Sequence, residues 1–322
     1  MLPIKYYVIF AFLFAAITVK ADVIKGDQAY AQGDKVVALA YYKAVEDTPE
    51  GIKALAYFYM KEDELDDAED IIVAGVKRFP DNPDLYNVKG VIMSRQAMGA
   101  VFSALSYAKK SKAGFAKAVE LAPQNSQYRM DLIQFYLQAP GFAGGNTDKA
   151  WEHVQVLEEL DTTMGFQARV AYYQVTEQPE SLSQFVLSAA QHSSEPEVLL
   201  SAGILLMNQR AFEQSFATLS KIQLPSEATE SQREAYYGAQ YQMAKLAMMA
   251  NQYYEEALVS IELFMKQSPQ YRNPQFAQWA QYRYGVLLAR SGEIKKGKNI
   301  LNAIETQDKQ LHKELRKMLG TL

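Results

Sequence analysis

Residues 50–80 read EGIKALAYFYMKEDELDDAEDIIVAGVKRFP, and this stretch decides the fold class. Apolar residues recur at helical spacing on both sides of the polar run around Glu62, which predicts two helices joined by a short turn. Asp66 lies in the first turn of the second helix and Arg78 in its last, as the helix dipole favours. Pro80 follows where a helix must have ended. The stretch therefore predicts a helix pair.

The small and bulky residues of this pair match a 34-residue pattern in frame. Tetratricopeptide repeats have small residues at positions eight, twenty and twenty-seven, bulky ones at eleven and twenty-four, and a proline at thirty-two. The matching residues are Ala56, Tyr59, Ala68, Ile72, Gly75 and Pro80. The chain thus resembles the tetratricopeptide repeat class. That resemblance implies an all-α, right-handed superhelical solenoid of antiparallel helix pairs, in which stacked neighbours share one core.

Repeats of this kind extend to both sides, and about eight of them fit the chain. The two halves of the third repeat, which opens at Pro83, are nine residues out of phase, so we expect an insertion that lengthens its helices around residues 96–112. In the fourth repeat, residues 140–146, PGFAGGN, replace the usual short turn. The proline and glycines stop a helix and permit positive φ angles, and Asn146 or Thr147 can cap the next helix.

Two blocks around these departures resemble a narrower group. Residues 102–110, FSALSYAKK, and 134–145, QFYLQAPGFAGG, are similar to a block shared by poorly characterised exported bacterial tetratricopeptide proteins. The resemblance covers nearly all of the chain after residue 21. It does not define a function, because this scaffold serves many binding tasks.

The first 21 residues have the features of a secretory signal peptide. Lys5 supplies a positive charge, residues 7–19 are almost wholly apolar, and Val19-Lys20-Ala21 resembles a cleavage site. The apolar run is shorter than the roughly 20 residues needed to cross a bilayer, which favours a cleaved peptide over its alternative, an N-terminal anchor. We expect a periplasmic or secreted protein with no integral membrane span after cleavage.

The composition limits the classes of partner and of site that the chain can have. The chain has 322 residues, a formal net charge of −4 and no cysteine. A mildly acidic protein has no general attraction for nucleic acid, so we expect none as a partner. Without cysteine, the chain has no disulfide, thiolate metal site or cysteine-linked lipid anchor.

The predicted organisation has four parts. These are a signal peptide (1–21), an N-terminal array of repeats (22–225), a hinge (226–231) and C-terminal repeats with a capping helix (232–322). The hinge is suggested by SEATES, a polar segment without periodicity. The last helix is amphipathic, as a terminal repeat requires.

No catalytic, cofactor or metal site is predicted. The chain contains three histidines, His153, His192 and His312. They are far apart and fit no ligand spacing. The glycines at 144–145 precede a helix, as in phosphate-binding loops, but the preceding strand and the Gly-Lys-Ser/Thr sequence are missing. We interpret the segment as an elongated turn, or as a loop that contacts a partner through Pro140 and Phe142.

The repeat class also implies a binding groove, lined by four positions of each first helix. In the second to fourth repeats, the groove residues that we select as candidates are Lys53, Tyr57, Met60, Lys61, Arg95, Arg129, Ile133, Tyr136 and Leu137. Their Lys and Arg side chains are expected to meet carboxylates, and their Tyr and Met side chains to meet apolar groups. An extended peptide or a helix fits this description.

The sequence therefore predicts a non-enzymatic exported adaptor that binds a protein or peptide. One alternative is a structural subunit of a cell-envelope assembly, such as a secretion, polysaccharide-export or outer-membrane machine. The other is a cryptic enzyme or small-ligand binder whose site is scattered over the helices. Regular repeats define the scaffold, so a specific function is expected at the lengthened third repeat and the 140–146 turn.

Overall fold

A computed structural model describes residues 19–322, and all regular structure in this range is helical. The helices are α1 (19–31), α2 (Lys35–Lys43), α3 (Pro49–Lys61), α4 (Leu65–Arg78), α5 (Pro83–Gly99), α6 (Ala104–Leu121), α7 (Ser126–Gln138), α8 (Thr147–Leu160), α9 (Thr162–Val175), α10 (Pro179–His192), α11 (Pro196–Asn208), α12 (Phe212–Ser220), α13 (Glu230–Ala250), α14 (Tyr254–Gln267), α15 (Pro274–Arg290), α16 (Ile294–Asn302) and α17 (Lys309–Leu319). Most of the predicted signal peptide lies outside the described residues, so export stays a prediction. Within residues 19–322, no helix is long and apolar enough to cross a membrane.

The chain divides into two compact units. The N-terminal unit ends at Glu177, and the C-terminal unit is Gln178–Leu322. Residues 226–231, the predicted hinge, lie within the C-terminal unit, where they end the α12–α13 connection and include the first two residues of α13. Hinge motion at that segment stays a prediction.

The helix pair predicted from residues 50–80 is confirmed as α3 and α4. Ala56 and Ala68, at two of the small positions, are fully buried. Small side chains at these places let the two helix backbones approach closely, so the pair packs without a large residue between them.

The same close approach recurs in both units. A Cβ atom at Gly90 of α5 would lie 2.5 Å from the ring of Phe115 on α6. A Cβ atom at Gly203 of α11 would lie 2.6 Å from the side chain of Leu219 on α12. In each pair, a glycine of the first helix therefore receives a bulky residue of the second.

A buried serine joins the same two pairs. Ser215 Oγ donates to the carbonyl of Gly203 at 2.7 Å, and Ser111 Oγ donates to the carbonyl of Gly90 at 2.8 Å. The two partners are 12 residues apart in the first case and 21 in the second. The nine-residue difference confirms the insertion in the third repeat and places it between Gly90 and Ser111. It lengthens both helices, as predicted.

First helices of the N-terminal unit begin at side-chain caps. Thr48, Asn82 and Asn125 each accept a hydrogen bond from the backbone amide three residues later, at the start of α3, α5 and α7. Such caps satisfy amides that the helix itself leaves unpaired. Of the two cap candidates for α8, the cap is Asn146, whose Oδ1 accepts from the amide of Lys149 at 2.8 Å.

Candidate binding site

The lengthened α5–α6 pair ends in a group of exposed apolar side chains. Met98 at the end of α5 is 81% exposed, and Val101 and Phe102 in the connection are 84% and 100% exposed. Leu105, in the first turn of α6, is also exposed. We call these four residues the apolar tip. Exposed apolar residues are normal when scattered, whereas a contiguous group marks an interaction surface.

Two residues of the apolar tip, Met98 and Leu105, line a cavity of about 590 Å³, which we call the tip cavity. Residues of α5, α6, α7 and the α7–α8 loop form its walls, together with Met60 of α3. Its apolar lining includes Met60, Val91, Leu105, Phe115, Phe135 and Phe142. Phe142 is 80% exposed and so lines the cavity from its solvent side.

The α7–α8 loop is held by its own backbone. The carbonyl of Pro140 accepts from the amides of Ala143 and Gly145 at 2.8 and 3.1 Å, and Gly144 adopts a φ of +106°. The amides of residues 143–146 all donate to carbonyls of residues 136–141. A phosphate-binding loop needs such amides free, and here they are paired within the loop. The loop places Phe142 in the lining of the tip cavity.

A second cavity of about 480 Å³ lies among α1, α2, α3 and the start of α5, and we call it the N-terminal cavity. Aromatic and charged side chains line much of it. They include Asp27, Tyr30, Glu50, Lys53, Tyr57 and Asp84. This lining differs in kind from the largely apolar lining of the tip cavity.

Asp84 links three first helices at the edge of the N-terminal cavity. Its Oδ1 accepts from Lys53 Nζ of α3 at 3.1 Å and from Tyr128 Oη of α7 at 2.7 Å. Burial alone would raise the pKa of the Asp84 carboxyl, but the hydrogen bonds from Tyr128 and Lys53 outweigh it, and this pKa lies below its usual value. Asp84 is therefore a stable anion at neutral pH.

A neighbouring polar pair joins α5 to α7. Asn87 Nδ2 donates to Asp131 Oδ2 at 2.9 Å, and Gln127 donates to the other oxygen of Asp131 at 2.8 Å. Burial, followed by the charges of Asp131 and Asp84, raises the pKa of Tyr57 on α3. The tyrosine therefore stays protonated and can donate a hydrogen bond across the physiological range.

The structure distributes seven of the predicted contact residues over the two cavities. Lys53, Tyr57 and Lys61 line the N-terminal cavity. The residues that line the tip cavity are Met60, Arg95, Pro140 and Phe142. The predicted contact loop and part of the predicted groove thus meet at one cavity, while their role in binding stays a prediction.

The four predicted groove residues of α7 do not form a surface. Arg129, Ile133, Tyr136 and Leu137 are all buried. Helix α7 packs against α6, α8 and α9, and Tyr136 stacks on His153 of α8 with ring centroids 5.8 Å apart. The open side of α7 lies instead along Gln127, Asp131, Gln134 and Gln138, and the last three of these line the tip cavity.

The groove cations were expected to be available for pairing with carboxylates of a partner, and this expectation also needs correction. Lys53 is paired with Asp84 at 3.1 Å, and Arg95 with Asp63 at 3.5 Å. Arg129 is buried. The positive charges of Lys53 and Arg95 are therefore balanced within the chain.

Sequence reasoning missed the apolar tip. The phase of the repeat indicates the insertion, and residues 96–112 are predominantly helix formers, which by themselves predict only longer helices. The available signal is Val101-Phe102, two large apolar residues between Gly99 and Ser103, where two helices must be connected. Apolar residues in such a connection lie where no core can cover them.

The recurring helix pairs define the class of this protein. The described residues form an all-α array of helix pairs that resembles the tetratricopeptide repeat fold, as predicted from residues 50–80. Close glycine contacts and serine–carbonyl hydrogen bonds recur at equivalent places in its pairs.

No protein-family model and no curated protein matches this sequence. A solved structure of similar fold is TTC0263, a thermophilic TPR protein of Thermus thermophilus, with 17% identity and a TM-score of 0.40 over 69% of this chain and 98% of that chain. The human IFIT1 dimer with PPP-AAAA has 14% identity and a TM-score of 0.42, over 92% of this chain and 72% of that one. Yeast Tom70 has 12% identity and a TM-score of 0.32, over 93% and 76%.

Proposed function

We propose that this chain is a non-enzymatic scaffold that binds a protein or peptide partner at the tip cavity. The observation that carries the proposal is an apolar cavity of about 590 Å³ whose lining includes the exposed side chains of Met98, Leu105 and Phe142. The exposed Phe102 lies in the adjoining connection between α5 and α6. Aromatic and aliphatic side chains around a concave apolar site are typical of binding anchors.

The polar groups of the tip cavity favour binding over catalysis. Ser94 Oγ lies 2.7 Å from Ser111 Oγ, Asp131 accepts two hydrogen bonds, and Arg95 is paired with Asp63. Catalysis usually requires polar groups that converge on a reacting atom. Here these groups are directed to one another, which supports a structural role for them.

Photo-crosslinking tests this proposal. We would place p-benzoylphenylalanine at Phe102 or Phe142 of the full chain, irradiate producing cells, and identify adducts by mass spectrometry. The control carries the same group at Val36, an exposed residue of α2. We expect one shared protein adduct from positions 102 and 142 that is absent at position 36. Equal adducts at all three positions, or none, would refute the site.

The same adducts separate the alternatives. If the chain is an adaptor, the adduct is expected to contain a soluble partner; if it is part of an envelope assembly, the adduct is expected to contain a subunit of a membrane complex.

We also propose export to the periplasm or beyond, supported by the sequence of residues 1–21. N-terminal sequencing of the protein from the periplasmic fraction is expected to start at Asp22, and a chain starting at Met1 would contradict cleavage.

A further inference from the structure

The two cavities of the N-terminal unit lie along the same two helices. Helix α3 contributes Tyr57 to the N-terminal cavity and Met60 to the tip cavity. Helix α5 contributes Asp84 to the first and Val91 and Arg95 to the second. With a helical rise of about 1.5 Å per residue, Asp84 lies roughly 10–16 Å along α5 from Val91 and Arg95. One partner segment can therefore reach both cavities.

Acidic side chains outnumber basic ones in the lining of the N-terminal cavity. Its lining contains three carboxylates, from Asp27, Glu50 and Asp84, and two ammonium groups, from Lys53 and Lys61. Lys53 is paired with Asp84. Among residues 19–322, Glu50 makes no ion pair, and its side chain is exposed. The charged side chains of the lining therefore carry a net charge of −1.

In the N-terminal cavity, a lysine side chain of this protein already contacts an aromatic ring. Lys61 Nζ lies 4.9 Å from the centroid of the Tyr30 ring. The rings of Tyr57 and Phe58 also line the cavity. Aromatic faces attract cations, and an added carboxylate strengthens the attraction. Rings and surplus acid together suit a basic side chain.

We propose that the partner segment is an extended peptide with two anchors. One apolar side chain fills the tip cavity, and a Lys or Arg side chain enters the N-terminal cavity close to Glu50. An extended chain advances about 3.3 Å per residue, so the two anchors are about three to five residues apart. This inference deepens the function proposed above and rests on it.

The competing arrangement places an acidic side chain of the peptide, instead of a basic one, in the N-terminal cavity. This is the arrangement that the sequence alone predicts. Such a side chain would approach Lys53 and Lys61, but it would also face Asp27, Glu50 and Asp84. Like charges in a partly enclosed site oppose binding. The sign of the second anchor is thus the quantity to measure.

Selection from a phage-displayed library of random 12-residue peptides on the full chain tests the proposal. We expect enrichment of a large apolar residue together with Lys or Arg three to five positions away. Phe142→Ala is expected to abolish the apolar preference and Glu50→Lys the basic one. Glu213→Lys, an exposed charge reversal on α12, is the matched control and should leave both preferences unchanged.

A synthetic copy of the most enriched peptide then gives magnitudes by fluorescence anisotropy. Lys→Glu in the peptide is expected to weaken binding about three- to tenfold, an effect typical of a partly enclosed charge contact. Enrichment of an apolar residue with Asp or Glu at this spacing, or with no charge preference, would overturn the basic anchor and leave the proposed function standing. Failure to enrich any apolar residue would overturn both.

Discussion

Arg129 on α7 is a buried cation whose guanidinium contacts a histidine instead of a carboxylate. Its Nη1 lies 3.0 Å from His153 Nδ1, and its Nη2 donates to the carbonyl of Pro123 at 2.7 Å. A guanidinium can only donate, so Nδ1 must accept and the neutral imidazole carries its proton on Nε2. Burial, followed by the charge of Arg129, lowers the pKa of His153, while Glu152 acts in the opposite sense.

This geometry predicts a dependence of stability on pH. Because the pKa of His153 is lower in the folded than in the unfolded chain, the unfolded chain binds more protons near pH 6, and stability falls as pH falls below about 6.5. His153→Gln keeps an acceptor for Arg129 without titrating. We expect its melting temperature to fall less between pH 7 and pH 5.5 than that of the parent.

Gln155→Ala, at an exposed position of the same helix, is the control, since it changes no titratable group. The control should follow the pH profile of the parent. If His153→Gln also follows it, protonation of His153 does not contribute to the profile.

At the scale of elements, the α5–α6 pair shows how an insertion is accommodated. The contact between Gly90 and Phe115 and the hydrogen bond from Ser111 to Gly90 are the same as in the α11–α12 pair, although nine more residues separate the partners. The insertion therefore extends the far end of the pair and leaves its packed base unchanged. The apolar tip is the product of that extension.

Shortening the pair tests this division. Replacing residues 96–107 by Glu62-Asp63-Glu64, the turn between α3 and α4, restores the 12-residue spacing between glycine and serine. We expect a cooperative thermal transition by circular dichroism to remain, because the base of the pair is kept. The photo-crosslinked adduct at Phe142 should be lost with the apolar tip.

A variant that no longer melts cooperatively would show that the extension is part of the fold. A variant that melts normally and still gives the adduct would show that the apolar tip is not needed for binding. The reference for both measurements is the chain with the α5–α6 pair at its original length and the crosslinker at Phe142.

At the scale of the whole molecule, contacts concentrate within two compact units. In repeat proteins, each element contacts mainly its neighbours, so stability is distributed along the chain. A destabilising change in one unit is expected to act mainly there.

Gly203→Val measures this localisation. The new side chain would collide with Leu219, whose side chain lies 2.6 Å from a Cβ at this position, and overpacking of this kind costs about 1–3 kcal/mol. Hydrogen exchange followed by mass spectrometry should show faster exchange in α11 and α12 and parental exchange in α3 to α8. Equal acceleration in both units would mean that the whole chain unfolds as one.

The sequence predicted those features that depend on neighbours along the chain. The helix pair at residues 50–80, the phase shift after Pro83 and the cap at Asn146 all follow from local patterns. Burial of Ile133 and Tyr136 could not be predicted in this way, because it depends on how α6, α8 and α9 surround α7. The tip cavity could not be predicted from the sequence either, because its lining residues come from separate elements between α3 and the α7–α8 loop.

The serine–glycine hydrogen bond at the base of the α5–α6 and α11–α12 pairs has a consequence for how such proteins diversify. It fixes the two helices below the point where they lengthen, so residues can be added beyond it in matched numbers on both arms without disturbing the neighbouring pairs. Recognition surfaces can then be gained, lost or exchanged by changing the length of a single hairpin. For an engineer, the α5–α6 pair is a ready site at which new binding loops can be grafted.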